Sequence, residues 1–428
     1  MDDGILDPED RLLLSATAPM SFPTEQSLSP SERRSLSWDR MFQLARSNRV
    51  AGFLGDLLEH GALSVPADSS VRSHWRRLRG ALAIQNELAR RQLQALAEEL
   101  RGAGIRTLLY KGLDFQFRFY SGEILRSFND VDLIVAADDA RRADAVFRSA
   151  GYDFREGDLP LDYYLRFHLH AVYRHPDWRY PIELHWALDS PYVGPETRLP
   201  ELFAAAQPAP HLSGFLSPSP IDALALMVLH LAKHLGLCAR LPTREARLKS
   251  VLEAGGLVWL VDVIGWFRTQ GELHSSDLVL ERMRTLEAES SLAVAARLVL
   301  DLDPQSVPSE LESFASPSAP GRSLLATLVY PDLCSARGVT RFGPRVRAVL
   351  MRTLPGLTFR PIAALEIFFP GVAPRGRARA GRMGRLLRVL LLASANLLAL
   401  ARWKLRSLAR AGQANPSDQR QQGPRSLR

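Results

Sequence analysis

Residues 129–135 read Asn129-Asp130-Val131-Asp132-Leu133-Ile134-Val135, and no other stretch restricts the fold as strongly. The short β-branched run Val131–Val135 has the composition and length of a strand. Side chains alternate along a strand, so Asp130 and Asp132 share one face while Val131, Leu133 and Val135 enter the other. One face is thereby committed to an apolar core, and the other must hold two carboxylates close together. Such a pair repels itself in a half-buried sheet. A hard, oxygen-seeking cation such as Mg²⁺, with Mn²⁺ as a substitute, is the simplest compensation. Taken alone, the pair also has a plainer reading as two solvent-facing charges on an edge strand.

The flanking sequence narrows the choice. Upstream, Leu108-Leu109-Tyr110-Lys111-Gly112 is a strand ending in glycine, a place where backbone can approach a phosphate and a following helix can present its N–H groups. Downstream, Ile182-Glu183-Leu184-His185-Trp186 alternates again and sets Glu183 and His185 on one face, which supplies a third carboxylate. Lysine occurs only at 111, 233, 249 and 404, every other basic residue being arginine. A lysine beside the glycine turn therefore stands out, and a compact ammonium suits a phosphate.

Periodicity divides the chain into regimes and predicts an α+β fold, a small mixed-sheet core flanked by N-terminal helices and a C-terminal helical domain. Residues 1–35 read as a loosely ordered lead-in and 36–104 as N-terminal helices, one over Trp38–Leu58 and one over 80–101. The α/β core spans 105–206, with strands at Ile105–Tyr110, Val131–Val135, Tyr152–Phe154, Ala171–Tyr173 and Pro181–Trp186 and a helix over 138–150. Proline and serine crowd 207–220, which reads as a linker. A helical domain over 221–350 follows, with helices at 221–236, 248–269, 276–302 and 321–331, and then a basic tail over 351–428 with one amphipathic helix.

Composition sets the outer bounds. A chain of 428 residues with 46% hydrophobic content has enough apolar material for a large core. Cys238 and Cys334 are too few for a disulfide framework or a cysteine zinc site, and the acidic start lacks the apolar stretch of a secretory signal, so a cytoplasmic setting is expected. The net charge of +8 conceals an asymmetry: residues 341–428 carry eighteen Arg and Lys against Glu366 and Asp418, which leaves the rest acidic. The acidic main body argues against nucleic acid as partner. The apolar run Val389–Ala401 is too short to span a bilayer, but its arginine flanks suit peripheral contact with the inner membrane surface or with a protein, against the alternative of a terminal helix packed on its own domain.

Lys111-Gly112, Arg126-Ser127-Phe128-Asn129-Asp130-Val131-Asp132-Leu133-Ile134-Val135, Gly151-Tyr152 and Glu183-Leu184-His185-Trp186 together resemble the bacterial family of uncharacterised nucleotidyltransferases, within the DNA polymerase beta-type superfamily. The resemblance extends to Trp38, Ala45, His230, His234 and Trp259 and covers most of 37–270. It implies a metal-dependent transferase that moves a nucleotidyl group from an NTP, ATP among the candidates, to a hydroxyl on a small molecule, sugar or protein. It also implies Asp130, Asp132 and Glu183 as catalytic groups and ligands of a two-Mg²⁺ site, with Lys111, Gly112 and Arg126 cradling phosphates. Leu113 departs from the serine that usually follows the turn glycine in the superfamily. The alternative reading is an inactive nucleotidyltransferase-fold module, binding or regulatory, tethered through its basic tail.

His185 is expected to line the cleft, as are His230 and His234, which lie four residues apart on one helix. For that helical pair a metal role, a substrate- or phosphate-facing role beside Lys233, and a structural role all remain open. The zinc-protease pattern is absent, because Leu231 stands where its glutamate would be.

Overall fold

The computed structural model describes residues 6–17, 28–60, 63, 69–120, 126–154, 161–188, 198–236 and 238–307. The N-terminal part supplies α1 (Pro8–Thr17), α2 (Pro30–Ser35), α3 (Trp38–Ser47), α4 (Ala51–Glu59) and the 34-residue α5 (Ser69–Gly102). Then come β1 (Thr107–Tyr110), α6 (Gly112–Phe119), β2 (Val131–Val135), α7 (Ala140–Ser149), β3 (Asp153–Phe154), α8 (Leu161–Phe167), β4 (His170–Arg174) and β5 (Ile182–His185). They are followed by α9 (Leu199–Ala205), β6 (Gln207–Pro208) and β7 (Leu216–Ser217), and helices α10 (Pro220–Leu235), α11 (Arg244–Glu253), α12 (Leu257–Gln270), α13 (Ser276–Thr285) and α14 (Glu289–Leu302) complete the described fold.

The strands form one seven-stranded mixed sheet in the order β3-β4-β5-β2-β1-β7-β6. Strand β2 runs antiparallel to β1 and parallel to β5, so it is paired on both sides. The alternation expected for β2 holds and extends across the sheet. Leu109, Val131, Leu133, Val135, Ile182 and Leu184 enter an apolar core closed by α5 and α7. Leu108 and Ile134 face the other way, into a second core built from the N-terminal helices and α10–α14. Asp132, Glu183 and His185 share that second face, and the sheet therefore aims them at the helical domain.

Three expectations meet a different structure. The lead-in contains α1 and α2. Leu12, Leu13 and Leu14 of α1 are buried, and Ser29 and Glu32 form a reciprocal cap on α2. Burial on nearly all sides leaves α1 without an amphipathic stripe, which is why no periodicity marked it. The proline- and serine-rich 207–220 segment is no bare linker: β6 and β7 pair antiparallel, and β7 adds to β1 in parallel through Leu108 and Leu216. Pro208 is tolerated there because β6 is an edge strand. Finally, three helices expected to be continuous are each broken into two, the first between α3 and α4 at residues 48–50.

The break in 248–269 turns α12 by 113° from α11. Gly255 adopts φ +67 against the Ser47 carbonyl, and a Cβ on Gly256 would sit 2.6 Å from Leu235 Cδ2, so the turn needs both glycines. The 276–302 run breaks at Glu287, whose φ is 55. Among the described residues no single helix is long and apolar enough to cross a membrane. The helix expected over 321–331 and the basic tail lie outside the described residues.

Asn48 locks the N-terminal helices to this bend. It is fully buried, donates from Nδ2 to Leu252 O at 3.1 Å and accepts from Leu257 N at 3.2 Å. Asn48→Ala removes both bonds and strands a buried N–H, so we expect a loss of about 2–3 kcal/mol, read as a lower denaturation midpoint in urea.

Candidate active site

Strand β1 ends at Tyr110 and the chain turns through Lys111 and Gly112 into α6. Lys111 has φ 62 and ψ −152, a region nearly reserved for glycine, and a residue held there costs about 1–3 kcal/mol. Gly112 follows at φ 39 with the Asp130 carbonyl and Phe128 packed beneath it. A lysine at so costly a backbone position is kept for its side chain, which turns back over β2.

There Lys111 Nζ lies 2.9 Å from Asp132 Oδ1, 3.5 Å from His230 Nδ1 and 4.5 Å from the centre of the Tyr110 ring. Parallel pairing of β2 with β5 sets Glu183 directly beside Asp132. His185 is two residues further along β5, opposite Ile134. Its Nε2 is 2.9 Å from Asp132 Oδ1 and 3.5 Å from Glu183 Oε2, while its Nδ1 is buried with no hydrogen-bond partner among the described residues. Asp130 precedes β2 and sits at the lip of the same cavity.

Charge organises the site. Burial pushes the Asp130 carboxyl up to about 6, and the neighbouring Asp132 and Glu183 carboxylates push the same way. Burial also acts against the charged form of Glu183, but hydrogen bonding and charge from His185, helped by Lys111, outweigh it and hold Glu183 down at about 2. Burial would lower Lys111 and His185 as well. Asp132 is the leading opposing influence on each, and both stay above their ordinary values. The remaining imidazoles go the other way: burial, with nearby cations, takes His230 well below its usual range and His234 to about 3. These two are neutral at physiological pH.

The cavity holds about 360 Å³ and brings together every sequence-predicted site residue: Lys111, Gly112, Arg126, Asp130, Asp132, Glu183, His185, His230 and His234. Arg126 plays a different part from the one expected of it. It is buried, and its Nε and Nη2 each lie 2.8 Å from Asp262 of α12, which also accepts from Tyr120 Oη at 2.7 Å. A guanidinium paired this way anchors the 126–130 loop to the helical domain while the residue still lines the cavity. Sequence reasoning had no signal for Asp262, which lies 136 residues away on an apolar helix. It also missed Arg49, which lines the cavity together with His168 and His170. Leu113, the departure after the turn glycine, points into the sheet's apolar core.

Asp130, Asp132 and Glu183 suit a divalent cation chemically. They are three carboxylates in one cavity, and one of them is pushed to about 6 by its neighbours and by burial. A second donor set overlaps them: ligand atoms of His170, Glu183 and His185 lie within 4.8 Å of one another. Glu183 is common to both.

A strand, a glycine turn into a helix, a central carboxylate strand and a third carboxylate on the adjacent parallel strand make up a site of the nucleotidyltransferase type. The chain belongs to the uncharacterised nucleotidyltransferase family, whose sequence model matches residues 34–302, from the end of α2 to the end of α14. No curated protein matches it.

Two outcomes test this electrostatic description. Asp262→Ala leaves the Arg126 charge buried and unpaired, and the expected cost is about 3–5 kcal/mol in thermal or denaturant unfolding. For Asp130 the folded pKa, about 6, lies above the ordinary 3.8, so the folded state holds the extra proton between those values. Stability contributed by this group therefore falls as pH rises through about 6. In cation-free protein Asp130→Asn should raise stability at about pH 8 by on the order of 1–2 kcal/mol and do little near pH 4. An equal gain at both pH values would contradict the shift.

Proposed function

We infer that the protein is a divalent-cation-dependent nucleotidyltransferase that moves a nucleoside monophosphate from an NTP to a hydroxyl of a small molecule, sugar or protein. The observation that carries this reading is the register pairing of Asp132 with Glu183, with Lys111 bound to Asp132 and Asp130 above them in one cavity. Membership of a nucleotidyltransferase family supports the reaction class.

Asp130, Asp132 and Glu183 would hold Mg²⁺ or Mn²⁺. When bound, the cation supplies charge neutralisation on the α-phosphate and on the departing pyrophosphate. The chain's own residues do the positioning. Lys111 and His185 grip one oxygen of Asp132 from two sides, which fixes that carboxylate in orientation. In the reaction the acceptor oxygen forms a bond to the α-phosphorus, the bond to the bridging oxygen breaks, and pyrophosphate leaves. The hydroxyl proton needs a base, a part that falls to one of the three carboxylates when the cation is bound. Because His230 and His234 are neutral, they can line a phosphate path without competing with Lys111 for charge.

The test is transfer of label from α-³²P-labelled NTPs, with Mg²⁺ or Mn²⁺, into protein or into a mixture of hydroxyl-bearing metabolites, with pyrophosphate release measured in parallel. Wild-type transfer is expected, with a fall of at least about 10²–10³-fold in Asp130→Ala and in Asp132→Ala. Label transfer that survives both substitutions would remove the basis for the assignment.

A further inference from the structure

Arg49 lines the cavity from the N-terminal helices, outside the strand and turn motifs that define the site. Helix α3 closes with two bonds, from Arg49 N to Arg46 O at 3.0 Å and from Val50 N to Ala45 O at 2.9 Å. This closure places the residue after the cap in the left-handed region, where glycine is the usual occupant. Here the residue is arginine, at φ 59. The backbone gains nothing from a side chain at this position, so the reason for it lies where the side chain goes.

It goes over the cavity. The guanidinium carbon is 4.7 Å from the centre of the Trp259 ring, and Nη2 lies 3.2 Å from Gly255 O. Among the described residues it makes no ion pair with a carboxylate, and its nearest cationic neighbour, Arg126, is already neutralised by Asp262. Arg49 is therefore a half-buried cation on the wall of a cavity that holds three carboxylates, with donor capacity not taken up by an acid.

The turn that carries it is fixed from three directions. Asn48 is pinned to Leu252 and Leu257 at the α11–α12 bend. Gly255 of that bend packs against the Ser47 carbonyl. The Arg49 carbonyl accepts from Ser127 Oγ at 3.1 Å, and Ser127 belongs to the loop that leads to Asp130. Loop, turn and bend are thus one hydrogen-bonded unit, and Arg49 keeps a set position relative to Asp130. A planar guanidinium so placed is suited to two phosphate oxygens at once.

We propose that Arg49 is a phosphate-binding residue for the nucleoside triphosphate, supplied by the N-terminal helices to the carboxylate cavity. This rests on the nucleotidyl-transfer reading above. It gives the N-terminal helices a part in substrate binding and sets Arg49, which has no acidic partner among the described residues, beside Lys111 as a phosphate contact.

The left-handed backbone makes the test discriminating, because glycine is preferred at φ 59. Binding of the α,β-methylene analogues of the four common NTPs, with Mg²⁺, is measured by calorimetry for wild type, Arg49→Gly and Arg49→Lys. Each protein is also tested with the matching nucleosides and melted without ligand. Arg49→Gly is expected to melt at or above the wild-type temperature, yet bind the analogue about tenfold or more weakly, with nucleoside affinity unchanged. Arg49→Lys, which keeps the charge but loses the fork, should fall between the two. Wild-type affinity for the analogue in Arg49→Gly overturns the proposal, and so does an equal loss for analogue and nucleoside. A lower melting temperature in Arg49→Gly with Arg49→Lys no better at binding would make Arg49 a structural support, which also overturns it. Wild-type protein that binds none of the four analogues overturns the nucleotidyl-transfer reading, and the Arg49 assignment falls with it.

Discussion

The ion pair between Lys111 and Asp132, shared with His185, is the interaction on which the site depends. Three carboxylates facing one cavity would repel one another and resist burial, and a sheet that carries them needs positive charge on the same face. Lys111 delivers it from a strained turn, and His185 bonds to the same carboxylate from the adjacent strand. Their two contacts converge on a single oxygen of Asp132, so the central carboxylate is held, while burial and the Asp132 and Glu183 charges keep the Asp130 pKa raised. The unequal pKa values of Asp130 and Glu183 follow from their surroundings: His185 bonds to Glu183 and lowers it, whereas burial and the two neighbouring carboxylates dominate at Asp130.

The helical parts set the surroundings of that charge cluster. Asp262 of α12 engages Arg126 and Tyr120, Asn48 joins α3 to the α11–α12 bend, and Ser127 joins the resulting turn to the Asp130 loop. The N-terminal and C-terminal helices therefore meet at the cavity from opposite ends of the chain and fix the loop that precedes β2. The family match over 34–302 takes in both sets of helices, which agrees with their acting as parts of one site.

Strained backbone is concentrated at the same place. Of the non-glycine residues with positive φ, Lys111 and Arg49 both line the cavity, and each presents a cation to it. Such positions cost stability and persist where surrounding structure over-determines them. Here the strand end, the α6 start, the Ser127 bond and the Asn48 clamp do so. Stability is given up to hold two positive groups where local backbone preference would have placed glycine.

The sequence by itself determined the strands and the carboxylates. Alternation over 131–135 and 182–186 depends only on the two-residue period of a strand, and that period put Asp130 with Asp132 on one strand and Glu183 with His185 on another, while the register that joins the two pairs came from the sheet. The glycine after Lys111 marked the turn, because few other residues suit its backbone. What escaped was whatever depended on contacts distant in the chain. Whether Arg126 was free or paired turned on Asp262, 136 residues away, and no local pattern reports such a partner. The helix breaks at Gly255–Gly256 and Glu287 were hidden because apolar periodicity continued through them, and the β6–β7 hairpin was hidden because short edge strands carry too few residues to show alternation. The place of Arg49 in the cavity was decided by tertiary structure alone, since the left-handed close of α3 and the bonds from Ser127 and Asn48 aim it, and both exist only once the helices have packed against the sheet.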